Sequence, residues 1–444
     1  MTRVRFAPSP TGHLFVSGAR VALANFLHAR RHGGHMLLRF DDVDRDRARP
    51  AFVEAIGHDL QWLGVAWDET FQQSDRLDLY AQAADRLRRA NRIYPCFEGD
   101  DELRAKRDHQ LKRGKSPIYD RGMLRMTVEQ RAKAEANGKR PYWRFLLSAR
   151  TLEWRDQVMG PRQAKLTSVS DPVVIRADGT PTPLFASVVD DIDTGITHII
   201  RGEDNAVNTG VQLDLWEALT GNPPRVQFAH LPALADAGHV RLARKAGTLS
   251  VRALRGDGVD PAALATCLAC IGLPVAGDPS TPDNLARTFD LSRLSQAGAG
   301  FDASQLLSLN RRALGRVDFS AVADRLPHGA TEAFWLAVRG SLDLLNEVRG
   351  WWEVVAGTIV PPIIANEGAF LSEAEALLPP EPWDESVWRR WTEALAQATG
   401  RVGDALLMPL RLALTGEDQG PALEALLPLI GRARASSRLR IAAA

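Results

Sequence analysis

The stretch APSPTGHLFVSGARVALANFL, residues 7–27, has the layout of a nucleotide-binding turn running into a helix. Such a turn offers backbone N–H groups and the positive end of a helix dipole to phosphate oxygens. Where it would be expected to carry an imidazole and a glycine, this one has Phe15 and Ser17. Arg5, Asp41 and the run Arg201–Asp204 qualify by place: all stand at the carboxyl ends of predicted strands, where open α/β sheets bind ligands. They are expected to share one crevice. Cys267 and Cys270 form a C-x-x-C, the spacing of a redox or metal pair. No second pair completes a zinc site, and the small apolar neighbours favour core packing.

The elements that must hold these residues are legible in the periodicity. RVRFA alternates around Val4 and Phe6 and predicts a strand. GARVALANFLHARR repeats Val21, Ala22, Leu23, Phe26 and Leu27 at helical spacing and stops at Gly33-Gly34. HMLLRF then predicts a buried strand ending in the acidic DDVDRDR, which completes a βαβ unit of a parallel sheet. EAIGHDLQWLGV and LDLYAQAADRLRRAN follow as amphipathic helices. From about residue 92 to 178 the chain turns polar and rich in Lys and Arg, as an inserted domain would. THIIR returns to strand, and AVNTGVQLDLWEALTG reads as a helix stopped by Gly221. Beyond about residue 250 the pattern is helical, in segments such as SQLLSLNRRAL, TEAFWLAVRGSLDLLNEV, ESVWRRWTEALAQATG and GPALEALLPLIGRARA. A sheet-containing first half and a helical second half is the expected arrangement.

The 444 residues, 45% hydrophobic and 25% charged, are ordinary for a globular protein of two to four domains. Three cysteines are too few for a disulfide framework and suit a reducing compartment. The first residues lack the apolar segment of a signal peptide, and no run of 18 apolar residues occurs. The expectation is a soluble, cytoplasmic protein with no membrane contact. A net charge of +1, from 55 basic and 54 acidic residues, neither demands nor excludes a nucleic acid.

Nine segments then occur in order: RFAPSPTGHLFVSGAR, LLRFDDVDRDR, YPCFE, SPIYDRGMLRMT, PYWRF, SDPVVIRADGTP, SVVDDIDTGITHIIRGED, LSVRALR and MPLRLALTG. Together they resemble bacterial glutamyl-tRNA synthetases, class I synthetases of the Rossmann type. The resemblance runs from residue 3 to about residue 435. It implies an α/β Rossmann-type catalytic domain in two halves, 1–91 and 179–230, with an inserted α/β acceptor-end-binding domain at 92–178. A signature loop and stem-contact helical domain at 231–316 and an all-α anticodon-binding-like region at 317–444 would follow. The family joins glutamate to ATP as glutamyl-adenylate, then transfers the acyl group to the 3′ end of tRNA. This chemistry needs in-line positioning and donors aimed at developing negative charge. The retained helical region sets the chain apart from the shortened relatives that modify queuosine in tRNA.

Carried over residue by residue, the resemblance implies glutamate binding by Arg5, Ala7, Ser9, Asp41 and Arg201. The arginines would hold carboxylates and Asp41 the ammonium. The rival reading is ordinary ion pairing of Arg5 and Arg201 with Asp41, Asp42 and Glu203. Phe15, Ser17, Gly18, Asp204, Arg241 and Arg244 fall at the nucleotide. Arg45 and Arg47 would meet tRNA phosphates, as would Lys106, Arg107, Lys112, Arg113 and Lys115 in the basic insertion. Implied partners are ATP with magnesium, glutamate and a glutamate- or glutamine-type tRNA, with the chain a monomer. YPCFE retains a single cysteine, so no structural zinc is expected.

Three departures from the family stand out. Phe15 replaces the first histidine of the HIGH signature and Ser17 the following glycine; His13 stands two residues too early to be the same group, although a rearranged turn could bring it nearby. In the KMSKS frame, Arg241, Leu242, Ala243, Arg244 and Lys245 keep positive charge but replace both lysines and the serine, and a planar fork is not equivalent to a compact ammonium. Pro183 occupies the place of a tyrosine that helps hold glutamate, and Asn205 that of a histidine after RGED. Losing one preorganised donor typically removes about 100- to 1,000-fold in rate. The expectation is a glutamate–tRNA ligase with a divergent site. The alternative is a paralogue of weak or no ligase activity that binds tRNA or nucleotide, or uses another substrate.

Overall fold

Strand β1 (Arg3–Phe6) leads through helix α1 (Val16–Arg31) to β2 (His35–Phe40), which lies parallel to it with Arg5 opposite Leu37. The structure is a computed structural model and describes residues 1–236, 249–273, 277–297 and 299–444. Contacts divide the chain into two compact units, Met1–Ala253 with Ala265–Asp302, and Leu254–Leu264 with Ala303–Ala444.

In the first unit α2 (Pro50–Trp62), β3 (Glu69–Gln72) and α3 (Leu77–Arg89) continue the α/β alternation, with β3 parallel to β2. β4 (Ile93–Cys96) and β5 (Tyr142–Phe145) bracket the polar helices α4 (Asp100–Lys112) and α5 (Val128–Ala136). The hairpin β6 (Thr151–Asp156) and β7 (Gly160–Lys165) follows, then β8 (Val173–Ile175). β4, β5 and β8 form an antiparallel sheet of their own. Helix α6 (Pro183–Asp193), β9 (His198–Gly202), α7 (Thr209–Thr220) and β10 (Gln227–Leu231) return to the parallel sheet, β9 beside β10. The polar insertion does not stand apart, because β6 pairs with β10 through Asp156 opposite Phe228. The two halves of the sheet meet where the Thr197 N–H donates to Arg3 O at 2.9 Å.

Strands buried on both faces read as near-continuous apolar runs, as Met36, Leu37 and Leu38 do on β2. Helix α1 buries Leu23, Phe26 and Leu27, carries basic residues in its last turn, and ends before Gly33, whose φ of 58° favours a residue without a Cβ. Helix α6 opens on Pro183 at its first turn, where the missing N–H costs no helical hydrogen bond.

One expected helix starts late. Residues 206–208 belong to a 3₁₀ segment, Glu203–Asn208, and α7 begins only at Thr209. The Arg201 side chain draws the turn inward: its Nη2 donates to Asn205 O at 3.2 Å and Thr209 Oγ1 at 2.8 Å.

Helices and short 3₁₀ turns make up the second unit. GPALEALLPLIGRARA forms two helices rather than one, Leu423–Ile430 and Arg432–Ala443, which meet at Gly431 with φ of 78°. TEAFWLAVRGSLDLLNEV likewise breaks after the helix Glu332–Val338 into 3₁₀ turns. Buried indoles anchor the core and keep their N–H groups bonded: Trp335 Nε1 donates to Val317 O and Trp391 Nε1 to Ala374 O, each at 2.9 Å.

Candidate active site

β1, β2 and β9 end at one side of the sheet, and a cavity of about 800 Å³ opens there. Its wall includes Arg5, Ala7, Ser9 and Asp41, then Arg201 and Asp204. Ser17, Gly18 and Pro183 line it as well. The expectation of a shared crevice therefore holds for residues up to 199 positions apart in sequence, Arg5 and Asp204 among them.

Three guanidiniums gather at its floor, on three strands. Arg39, fully buried, donates from Nε to Asp41 Oδ1 at 2.7 Å, from Nη1 to Asp191 Oδ1 at 2.9 Å and from Nη2 to Ser187 Oγ at 2.8 Å. Burial opposes its charge, but Asp41, Asp191 and Asp190 outweigh that and hold it protonated. Arg5 donates from Nε to the same Asp191 Oδ1 at 3.1 Å. Burial pushes the Asp41 carboxyl upward while Arg39 pulls it back.

Arg201 differs from the other two. Its Nε donates to His230 Nε2 at 3.1 Å and its Nη2 to Thr209 and Asn205, and among the described residues no carboxylate pairs with it. Burial first, and then repulsion from Arg5, lower its guanidinium to about 9. It remains a cation at neutral pH, buried and with no ion pair among the described residues, which is the condition for attracting an anion. The rival pairing of Arg5 and Arg201 with Asp41, Asp42 and Glu203 does not occur: Asp42 instead accepts from Ser74 at 2.7 Å, and Glu203 from the Ala233 N–H at 2.9 Å.

At the other end of the cavity stands the start of α1. Val16 N–H donates to Leu249 O at 3.0 Å and Val251 N–H to Leu14 O at 2.8 Å, a short bridge that holds the turn around Phe15 and Ser250. Phe15 caps the helix without a side-chain acceptor and is 46% exposed, off the cavity wall. Ser17 and Gly18 face the cavity, and among the described residues their N–H groups have no acceptor. Gly18 has little room for a side chain, since a Cβ there would lie 3.0 Å from Leu14 Cδ1. Buried Arg20 donates to Pro232 O at 2.7 Å and also lines the wall. His13 packs edge-on against Phe52 instead, with its Nδ1 buried. Arg241, Leu242, Ala243, Arg244 and Lys245 lie outside the described residues.

Arg45 and Arg47 stay outside the crevice: Arg45 borders a separate hollow of about 180 Å³ and Arg47 pairs with Asp44 at 2.7 Å. In the insertion Lys106 pairs with Glu98 and with Asp120, while Arg107, Lys112, Arg113 and Lys115 are exposed. Cys267 is buried, and burial pushes its thiol up to about 12.

Arg39, Asp191, Ser187 and Arg20 escaped sequence reading. Arg39 carries one available signal: it precedes Asp41 by two, so both point to the same side of the strand.

Beneath the floor Asp190, fully buried, accepts from Gln73 Nε2 at 2.8 Å, Arg76 Nε at 3.0 Å and the Tyr80 hydroxyl at 3.0 Å. Burial raises this carboxyl to about 6 against the pull of Arg39. A folded acid above its unfolded value of about 3.9 contributes stability that is complete below that pH and fades as pH rises through the folded pKa. Asp190→Asn is therefore expected to flatten the fall in stability between about pH 4 and 6, read by denaturant unfolding. A slope equal to wild type would contradict it.

Parallel strands, a crevice at their carboxyl ends and a helix N-terminus beside buried cations define a nucleotide-using enzyme of the Rossmann class. Residues 1–308 match the model described as tRNA synthetases class I (E and Q), catalytic domain, and residues 365–443 that of an anticodon binding domain. The chain belongs to the class I tRNA synthetases of the E and Q group. A relative from Gluconacetobacter diazotrophicus named glutamate–tRNA ligase 2 is 55% identical over 99% of this chain and 100% of its own. Another of that name from Granulibacter bethesdensis is 57% identical over 99% of this chain and 98% of its own. A crystal structure of a glutamate tRNA ligase from Elizabethkingia meningosepticum in complex with its amino acid superposes with a TM-score of 0.83. At 24% identity over 100% of this chain and 99% of that one, it speaks for the fold.

Proposed function

We propose that this protein activates glutamate with ATP and transfers the glutamyl group to the 3′ end of a glutamate- or glutamine-type tRNA. The unpaired Arg201 carries the reading. Arg5 and Arg39 are tied to Asp191 and Asp41, whereas Arg201 lines the crevice with no carboxylate partner among the described residues. A glutamate carboxylate supplies the anion that this cation lacks. The names of full-length relatives point the same way.

Arg5 and Arg201 hold the two carboxylates and Asp41 the ammonium, with Ala7 and Ser9 on the same wall. The triphosphate lies toward the first turn of α1, where Ser17 and Gly18 offer N–H groups, with Asp204 and the outlying Arg241 and Arg244 on the nucleotide side. A carboxylate oxygen of glutamate attacks the α-phosphorus and pyrophosphate leaves. A terminal ribose hydroxyl of tRNA then attacks the acyl carbon and AMP leaves. Magnesium arrives with ATP, held by its phosphates; among the described residues no group of three or more His, Cys, Asp or Glu is placed to hold a metal. Arg45, Arg47 and the exposed cations of the insertion supply salt-dependent tRNA affinity. The protein works as a cytoplasmic monomer.

ATP–pyrophosphate exchange, run with each amino acid with and without bulk tRNA, tests this. Glutamate-dependent exchange is expected. Tight tRNA binding with no exchange for any amino acid would favour a binding paralogue, a reading that the exposed, donor-free Phe15 supports. A rise in exchange in Phe15→His with Ser17→Gly would support an eroded synthetase. An unchanged rate would show that the turn does not limit the reaction.

A further inference from the structure

We propose that Asp156 and His230 form a relay that positions Arg201 for a substrate carboxylate, making them positioning residues for amino-acid capture. The proposal rests on the reading of the crevice as a glutamate site. All three side chains are at least nine-tenths buried, and they stand on β6, β10 and β9, adjacent strands of one sheet.

Proton accounting fixes the direction of the chain. Arg201 Nε is always a donor, so His230 Nε2, 3.1 Å away, must be the bare ring nitrogen. The ring proton then sits on Nδ1 and donates to Asp156 Oδ2 at 2.5 Å. Burial keeps the imidazole neutral by lowering its pKa, and the carboxylate partly opposes that. Asp156 is itself held: its Oδ1 accepts backbone N–H groups of Val158 at 3.0 Å, Met159 at 2.8 Å and His230 at 3.1 Å. The aspartate therefore selects the tautomer that can accept from arginine.

The second edge of the guanidinium is tied as well, through Nη2 to Thr209 Oγ1. Nη1 has no acceptor among the described residues, and Arg201 lines the cavity. Such an arrangement orients a cation without neutralising it. A carboxylate at the Nε position would fix the fork equally well, but would satisfy the charge that substrate must meet. A neutral imidazole avoids this, and the negative charge is kept one ring further away.

Two measurements test the relay independently. In protein carrying 15N-labelled histidine, the His230 signal, identified by its loss in His230→Gln, is expected to report the Nδ1–H tautomer. It should convert to Nε2–H in Asp156→Asn, whose amide donates to Nδ1. An Nε2–H tautomer in the wild type would overturn the proposal.

In the exchange assay, Asp156→Asn is expected to raise KM for glutamate by about 10- to 100-fold, with kcat and KM for ATP held within about twofold. His230→Gln presents a bare oxygen near the Nε2 position and should recover most of the glutamate affinity. Equal losses for glutamate and ATP, or no loss in Asp156→Asn, would reject the positioning role. If the wild type shows no glutamate-dependent exchange, the functional reading fails, and the tautomer measurement alone decides the relay.

Discussion

Arg201→Met lowers kcat/KM for glutamate by about 2–5 kcal/mol, roughly 30- to 5,000-fold, the range for removing one partner of a buried, hydrogen-bonded charge pair. KM for ATP is expected to stay near its wild-type value, because the nucleotide is proposed to lie toward the start of α1. Stability separates this role from a structural one. Arg201 is buried with no carboxylate partner among the described residues, so its desolvation is only partly offset, by the charges of Asp191, Asp204 and Asp156. Replacing it with an apolar chain of similar length removes that burden, and the unfolding midpoint should hold or rise. A fall in midpoint with intact glutamate kinetics would show that Arg201 serves packing rather than substrate.

Asp191→Asn is expected to behave in the opposite way. This carboxylate is 2% exposed and binds two guanidiniums, Arg5 at 3.1 Å and Arg39 at 2.9 Å. Its neutralisation leaves both cations sharing Asp41 and Asp190, and breaking a buried pair by removing one partner costs about 3–5 kcal/mol. Urea unfolding followed by circular dichroism should report the loss as a lower midpoint at unchanged slope. Glutamate affinity should fall less steeply than in Arg201→Met, since Arg5 and Arg201, both proposed to hold carboxylates, persist. A stability change under about 1 kcal/mol would mean that water reaches the floor of the crevice and screens it.

Arg201→Met and Asp191→Asn concern partners that no local pattern reveals. The alternation of RVRFA and HMLLRF and the helical spacing between them predicted β1, α1 and β2, and strand ends predicted where Arg5, Asp41 and Arg201 would meet. The late start of α7 was hidden for a definite reason. AVNTGVQLDLWEALTG has helical periodicity throughout, but the Arg201 side chain captures Asn205 O and Thr209 Oγ1, and the first turn tightens to 3₁₀. Likewise, Gly431 divides a segment read as one helix by taking a φ of 78°. Phe15, read as part of the nucleotide wall, stands off it on the exposed cap of α1, since the bridge to Ser250 sets the direction of that turn.

Periodicity and turn chemistry are local properties of the chain, and they determined the first βαβ unit and the helical second half, while the family was legible in nine short motifs taken in order. The segments that resemble the glutamyl-tRNA synthetases placed Arg5, Asp41 and Arg201 in the site for the same reason, since each motif is a short run. Charge partners were decided only by the tertiary structure. Arg5 meets Asp191 across 186 residues, Arg39 meets it across 152, and His230 meets Asp156 across 74. A buried ion bonds whichever groups the packed sheet and helices bring within reach, because leaving it without partners is costly. Sequence proximity does not settle that choice: Arg39 bonds Asp41 two residues away and Asp191 across 152, while Arg201, named from its motif, meets no carboxylate among the described residues.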